Sequence, residues 1–184
     1  MIITEILARN ARMYGDEIAL IERDPANDRR VTLTWKEFDD MANRMANTLI
    51  AKGIRKGDKV IHLMMNCIEW LPAYFGILKT GAWAVPLNFR FTAEDIRYCA
   101  EIAEAKAMLF GEEFIERINT IKNDLVTLKD YMFLGTASRM PDYAENLETF
   151  LKTGFAENPN VPIGLLDEAA LYLTSGTTGQ PKPI

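Results

Sequence analysis

The chain has 184 residues, 48% hydrophobic and 26% charged, and a formal net charge of −5. That length allows one ordinary domain with a real core, and the balance is that of a soluble globular protein. The acidic sign argues against a nucleic-acid partner, and two isolated cysteines, Cys67 and Cys99, make no disulfide framework and fit a reducing cytosol.

The start, Met1-Ile2-Ile3-Thr4-Glu5, lacks the basic and long apolar regions of a signal peptide. Residues 4–14 read as a helix, with Thr4 as N-cap and Ile6, Leu7, Ala11 and Tyr14 on one face. Residues 18–22 and 31–33 flank the turn cluster Asp24-Pro25-Ala26-Asn27-Asp28, which predicts a hairpin. Arg23, Arg29 and Arg30 form the one basic cluster and are read as its solvated tip. Thr34 and Glu37 have capping-box spacing, and Phe38, Met41, Ala42, Met45, Ala46, Leu49 and Ile50 follow at helical spacing until Gly53.

Strands are predicted at 60–64, 83–85, 107–110 and 131–134. Helices are predicted at 69–79, from Thr92 (with Asp95 three places on), at 114–121, and as a turn at 147–151. The longest uncharged apolar stretch, 70–78, contains Pro72 and is far shorter than the ~20 residues of a bilayer span. Alternating strands and helices imply α/β architecture: a largely parallel sheet with helices on both faces and ligands at the strands' C-terminal edge. The organisation expected is a sheet-and-helix subdomain over 1–153, a Pro/Gly/Asn-rich connector over 154–168, and a strand plus phosphate loop over 169–184.

The chemistry concentrates in that last segment. The apolar run 169–173 opens into Thr174-Ser175-Gly176-Thr177-Thr178-Gly179-Gln180-Pro181-Lys182-Pro183-Ile184. Glycines let backbone N–H groups close on an anion, hydroxyls add rotatable donors, and Lys182 adds a full positive charge. Such a loop suits a polyphosphate, above all ATP. The spacing fits neither the Walker A pattern nor G-x-G-x-x-G.

The string T-S-G-T-T-G-Q-P-K resembles the signature loop of the adenylate-forming superfamily: acyl-CoA synthetases, luciferases and peptide-synthetase adenylation domains. Leu33-Thr34-Trp35-Lys36-Glu37-Phe38 and Leu78-Lys79-Thr80-Gly81-Ala82-Trp83-Ala84-Val85-Pro86-Leu87 resemble two further elements of that family, in family order. The stretch 88–96 looks more like an acyl-CoA synthetase than a peptide-synthetase domain. One departure is Pro183, where the family usually has Gly or Ala.

The resemblance implies the N-terminal part of the large domain of an AMP-forming carboxylic acid–CoA ligase. ATP, Mg²⁺, coenzyme A and a carboxylic acid are its implied ligands. Thr174, Ser175, Gly176, Thr177, Thr178, Gly179 and Lys182 would hold the phosphates, with Lys182 supporting the pyrophosphate leaving group. The family's catalytic lysine and magnesium ligand belong to later parts of its sequence. No catalytic residue or metal ligand is therefore assigned here, the 184-residue chain alone is expected to be inactive, and a sheet edge left bare would invite self-association. A cytoplasmic enzyme is expected. The alternatives are a P-loop-like ATP hydrolase and a non-catalytic truncated paralogue acting as a binding module.

Other candidates are weaker. His62, the single histidine, lies among apolar neighbours and reads as a core or sheet-face residue. No His, Cys, Asp and Glu grouping has metal-ligand spacing. Trp70, Tyr74 and Phe75 read as core, and Asn66 and Asn88 follow strands without an assignable role.

Overall fold

Local sequence signals set the helix boundaries. In the structure, a computed structural model describing residues 1–175 and 181–184, Thr34 starts α2 (Trp35–Ala51) with a complete capping box. Its Oγ1 accepts from the Glu37 N–H at 3.2 Å, and the Thr34 N–H donates to the Glu37 carboxylate at 2.8 Å. Thr92 and Asp95 repeat the device at α4 (Ala93–Ala103). Gly53 stands just past α2 at φ +92°, a left-handed conformation that only glycine adopts cheaply. Thr34→Ala should cost about 1 kcal/mol of stability, read by denaturant titration.

The N-terminal helix differs from expectation. α1 (Ile3–Met13) begins one residue earlier, with Ile2 in the cap position, and Thr4 lies inside the helix. Glu5 folds back onto the Ile2 N–H at 3.2 Å, which satisfies a free donor without a hydroxyl cap. Its buried face is Thr4, Leu7 and Ala8, while Ile6 and Tyr14 are exposed. Leu7 packs with Phe38 and Ala42 against the hairpin of β1 (Ile18–Asp24) and β2 (Arg29–Thr34). Arg29 and Arg30 are exposed at its tip, with Arg29 paired to Glu22 at 3.3 Å.

Five parallel strands form the main sheet: β3 (Lys59–Leu63), β4 (Trp83–Pro86), β5 (Ala107–Gly111), β6 (Asp130–Leu134) and β7 (Glu145–Asn146), in the order β4-β3-β5-β6-β7. The two-residue β7 has too short a pattern to read from sequence. Side chains alternate between two cores, as a pleated strand requires. Val60, Ala84, Ala107, Leu109 and Met132 face α2, α3 (Trp70–Lys79) and α6 (Leu147–Thr153). Ile61, Val85, Met108, Phe110 and Phe133 face α4 and α5 (Ile115–Ile121). Both faces are covered, so these strands read as nearly continuous apolar runs.

The connector over 154–168 contains no helix or strand. The final apolar run behaves differently from the single strand expected. Only Ala170 bridges the sheet, parallel to Ala84, with hydrogen bonds from Ala84 N to Ala169 O at 3.0 Å and from Leu171 N to Ala84 O at 2.9 Å. The chain then leaves the sheet and enters a separate antiparallel hairpin of β8 (Leu173–Ser175) and β9 (Pro181–Pro183). The loop therefore joins two hairpin strands rather than extending a sheet strand.

Candidate functional site

Of the predicted site residues, Thr174, Ser175 and Lys182 lie on the described hairpin, while Gly176, Thr177, Thr178 and Gly179 lie outside the described residues. Thr174 and Lys182 are directly opposed, so their side chains share a face. The Thr174 hydroxyl donates to the Lys182 carbonyl at 3.4 Å, and both residues are exposed. The other face turns inward: Leu173 packs against the α4–α5 core and Pro181 is buried. The hairpin thus holds a hydroxyl and an ammonium outward on an anchored apolar base. That donor set suits an anionic, oxygen-rich ligand such as a polyphosphate.

The register also accounts for Pro183. Tyr172 and Ile184 exchange both hydrogen bonds, at 3.2 and 2.8 Å. Antiparallel pairs alternate, so Leu173–Pro183 and Ser175–Pro181 fall at non-hydrogen-bonded positions. A proline there loses no ladder bond. The Pro183 departure is compatible with the hairpin.

An aromatic cluster lies where the chain enters the hairpin. The hydroxyls of Tyr172 and Tyr74 are 3.3 Å apart. Tyr74 stacks on Trp70 at 5.3 Å, and His62 meets Trp70 edge-on at 4.3 Å and Tyr74 at 6.0 Å. Trp70, Tyr74 and Phe75 are only partly buried, so their helical spacing builds a half-covered wall as well as core.

His62 is 1% exposed, and neither ring nitrogen has a hydrogen-bond partner. Burial pulls its pKa down to about 3 from an ordinary 6.5. The folded state therefore keeps a neutral imidazole between pH 6.5 and 3 while the unfolded chain binds a proton. Stability contributed by the neutral form is complete above pH 6.5 and falls by about 1.4 kcal/mol per unit as pH drops through that window. Denaturant titrations at pH 7 and 5 should show His62→Phe flattening this slope; an unchanged slope would mean that His62 is protonated in the fold. At that pKa the imidazole is a poor candidate for a base at neutral pH.

Both cysteines are protonated thiols, pushed up to about 12, Cys67 by burial and then Glu69, and Cys99 by burial and then Asp95. Asn88 closes a local turn by accepting the Arg90 N–H at 2.9 Å, and Asn66 is exposed. Among the described residues no group of three or more His, Cys, Asp and Glu side chains could hold a metal ion. No described helix is long and apolar enough to cross a membrane.

Sequence reasoning missed a polar cluster buried between α2 and α3. The Lys79 ammonium donates to Asp39 at 2.8 Å and to Asn43 Oδ1 at 2.6 Å, with side-chain exposures of 3% for Lys79 and 13% for Asp39. Asp39, Asn43 and Asn47 recur every four residues along α2, a spacing that was legible but fits a solvated face equally well.

Residues 7–184 match the family described as AMP-binding enzyme. The chain is 32% identical over 164 residues to the long-chain-fatty-acid–CoA ligase FadD13 of Mycobacterium tuberculosis, covering 88% of this chain and 30% of that protein. It is 31% identical over 181 residues to the 3-hydroxybenzoate–CoA/4-hydroxybenzoate–CoA ligase of Thauera aromatica, covering 98% and 33%. Its fold superposes on the anthranilate CoA ligase AuaEII in complex with anthranoyl-AMP with a TM-score of 0.89 at 26% identity, over 98% of this chain and 33% of that one. The chain thus spans about a third of the length of these relatives.

Proposed function

The chain belongs to the AMP-binding enzyme family, as an N-terminal portion, and we propose that the whole protein is an ATP-dependent, AMP-forming carboxylic acid–CoA ligase. The reading is carried by one observation: a hydroxyl- and glycine-rich loop held by the β8–β9 hairpin, with Thr174 and Lys182 facing outward together. In this proposal a carboxylate attacks the α-phosphorus of ATP, pyrophosphate leaves, and the thiol of coenzyme A then displaces AMP. The three CoA ligases named above are ligases of fatty, hydroxybenzoic and anthranilic acids, all carboxylates, which supports the substrate class.

Within this chain, Thr174, Ser175, Gly176, Thr177, Thr178, Gly179 and Lys182 would hold the β- and γ-phosphates. Hydrogen bonds to ionised acceptors contribute about 1.5–3 kcal/mol each, so several donors together matter. They accelerate the reaction only as far as they bind the departing pyrophosphate more tightly than the bound ATP. Mg²⁺ would neutralise phosphate charge; we assign it no ligand among the described residues. Residues 1–153 would form the supporting subdomain, 154–168 the connector, and 169–184 the phosphate-holding segment. The isolated chain is expected to show no turnover.

The test is acid-dependent exchange of pyrophosphate into ATP by the whole protein, with AMP as the nucleotide product of the full reaction. Release of ADP without acid dependence would favour the hydrolase reading. Acyl-CoA formation by the 184-residue chain alone would overturn its expected inactivity.

A further inference from the structure

The route of the connector is set by side chains rather than by its own backbone. Asn47 Nδ2 donates to the carbonyls of Phe155 and Glu157, both at 2.8 Å. One turn earlier, Asn43 Nδ2 donates to the Ala156 carbonyl at 2.9 Å. Three successive carbonyls are thus gripped by two amides on one stripe of α2. Asn43 is fixed from behind, because its Oδ1 accepts from buried Lys79, which Asp39 neutralises. Further along, Lys56 donates to the Pro162 carbonyl at 3.2 Å and pairs with Asp167. Two residues past Asp167 the chain reaches its contact with Ala84 and then the hairpin.

A connector without regular structure samples many positions unless its polar groups are tied down. Its far end is held by the bridge of Ala170 to Ala84, by Leu171 and Leu173 packed on the α4–α5 core, and by the contact of Tyr172 with Tyr74. The described ties along the connector act with these anchors in setting where β8 begins. We propose that the Asn43–Asn47 amide pair of α2, seconded by Lys56, is a positioning device that presents the β8–β9 hairpin, so that these residues tune phosphate binding without touching the ligand. The purpose given to the device rests on the phosphate-loop reading above; the mechanical claim does not.

The variant of choice is Asn47→Asp, which keeps size and shape, removes both donors and sets a carboxylate against two carbonyls. Asn47 is only half-buried, so the fold should survive. Lys56→Met tests the second anchor separately. Hydrogen exchange of the 184-residue chain should show the Leu171 and Tyr172 amides opening about tenfold faster in either variant, equivalent to about 1.4 kcal/mol. Amides of β3 and β5 should keep their protection.

Acceleration confined to 155–158, or spread equally over the whole sheet, would reduce both anchors to local packing and overturn the proposal. In the whole protein, Asn47→Asp should raise KM for ATP several-fold in pyrophosphate exchange. An unchanged KM alongside faster exchange at Leu171 would overturn the tuning role. A wild-type protein without any pyrophosphate exchange would sink the ligase reading, while hydrogen exchange would still decide whether α2 positions the hairpin.

Discussion

Lys182→Ala is expected to slow acid-dependent ATP–pyrophosphate exchange by about 100-fold or more, the loss seen when a preorganised donor is removed from developing charge. The fold should be indifferent. Lys182 is exposed on the outer face of the hairpin, its backbone pairing with Thr174 does not need the ammonium, and truncation leaves no cavity. Thermal unfolding should therefore shift by no more than about 2 °C, as for an ordinary surface substitution. A fall in kcat with the melting temperature intact is the signature of a group that acts in the transition state. Exchange at the wild-type rate would remove Lys182 from its role. Lys182→Arg keeps the charge but spreads it over a planar fork, so partial recovery is expected, because a point charge and a bidentate donor do not meet a phosphate alike.

Asp39→Leu should produce the largest loss of stability, about 3–5 kcal/mol, because it strands the Lys79 ammonium in a site with 3% side-chain exposure. In a chain of this size that corresponds to roughly 10 °C or more in melting temperature. Asn43 would remain as an acceptor at 2.6 Å, but an amide oxygen cannot neutralise the charge. The double variant Asp39→Leu/Lys79→Met should recover most of the loss, since it removes both charges and leaves Asn43 Oδ1 without its donor and one Nδ2 hydrogen without the Asp39 carboxylate, while the bond to Ala156 stays. If the single variant were as stable as the wild type, the pair would have to be solvated and the α2–α3 interface looser than its packing. That interface is tight: a Cβ added at Gly76 would lie 2.5 Å from Met45 Cβ. The pair therefore holds the two helices in one register, and through Asn43 it reaches the connector.

Much of the scaffold was legible because its signals are local. Thr34 with Glu37 and Thr92 with Asp95 need only three residues to satisfy backbone donors, so the capping boxes stood where the sequence put them. The runs read over 60–64, 107–110 and 131–134, apolar apart from His62, overlap β3, β5 and β6, and could be read as buried strands because both faces of a parallel sheet are covered. α1 misled because Glu5 closes its first turn without Thr4. β7 has only two residues, too few for any periodicity. The site was half legible: composition marked out the loop, yet whether the run over 169–173 stays in the sheet depends on pairings distant in sequence.

By itself the sequence determined the α/β class, the helix starts and the chemical character of the loop, since propensity, capping and donor content are properties of neighbouring residues. Only the tertiary structure decided that the loop hangs from an antiparallel hairpin, that Pro181 and Pro183 fall where no N–H is needed, and that Asp39, Asn43 and Lys79 meet inside the protein. Asp39 and Lys79 lie 40 positions apart and Ala84 and Ala170 lie 86 apart, while the hairpin pairs residues 6–12 apart across its loop, and no short window of sequence encodes which of these contacts form.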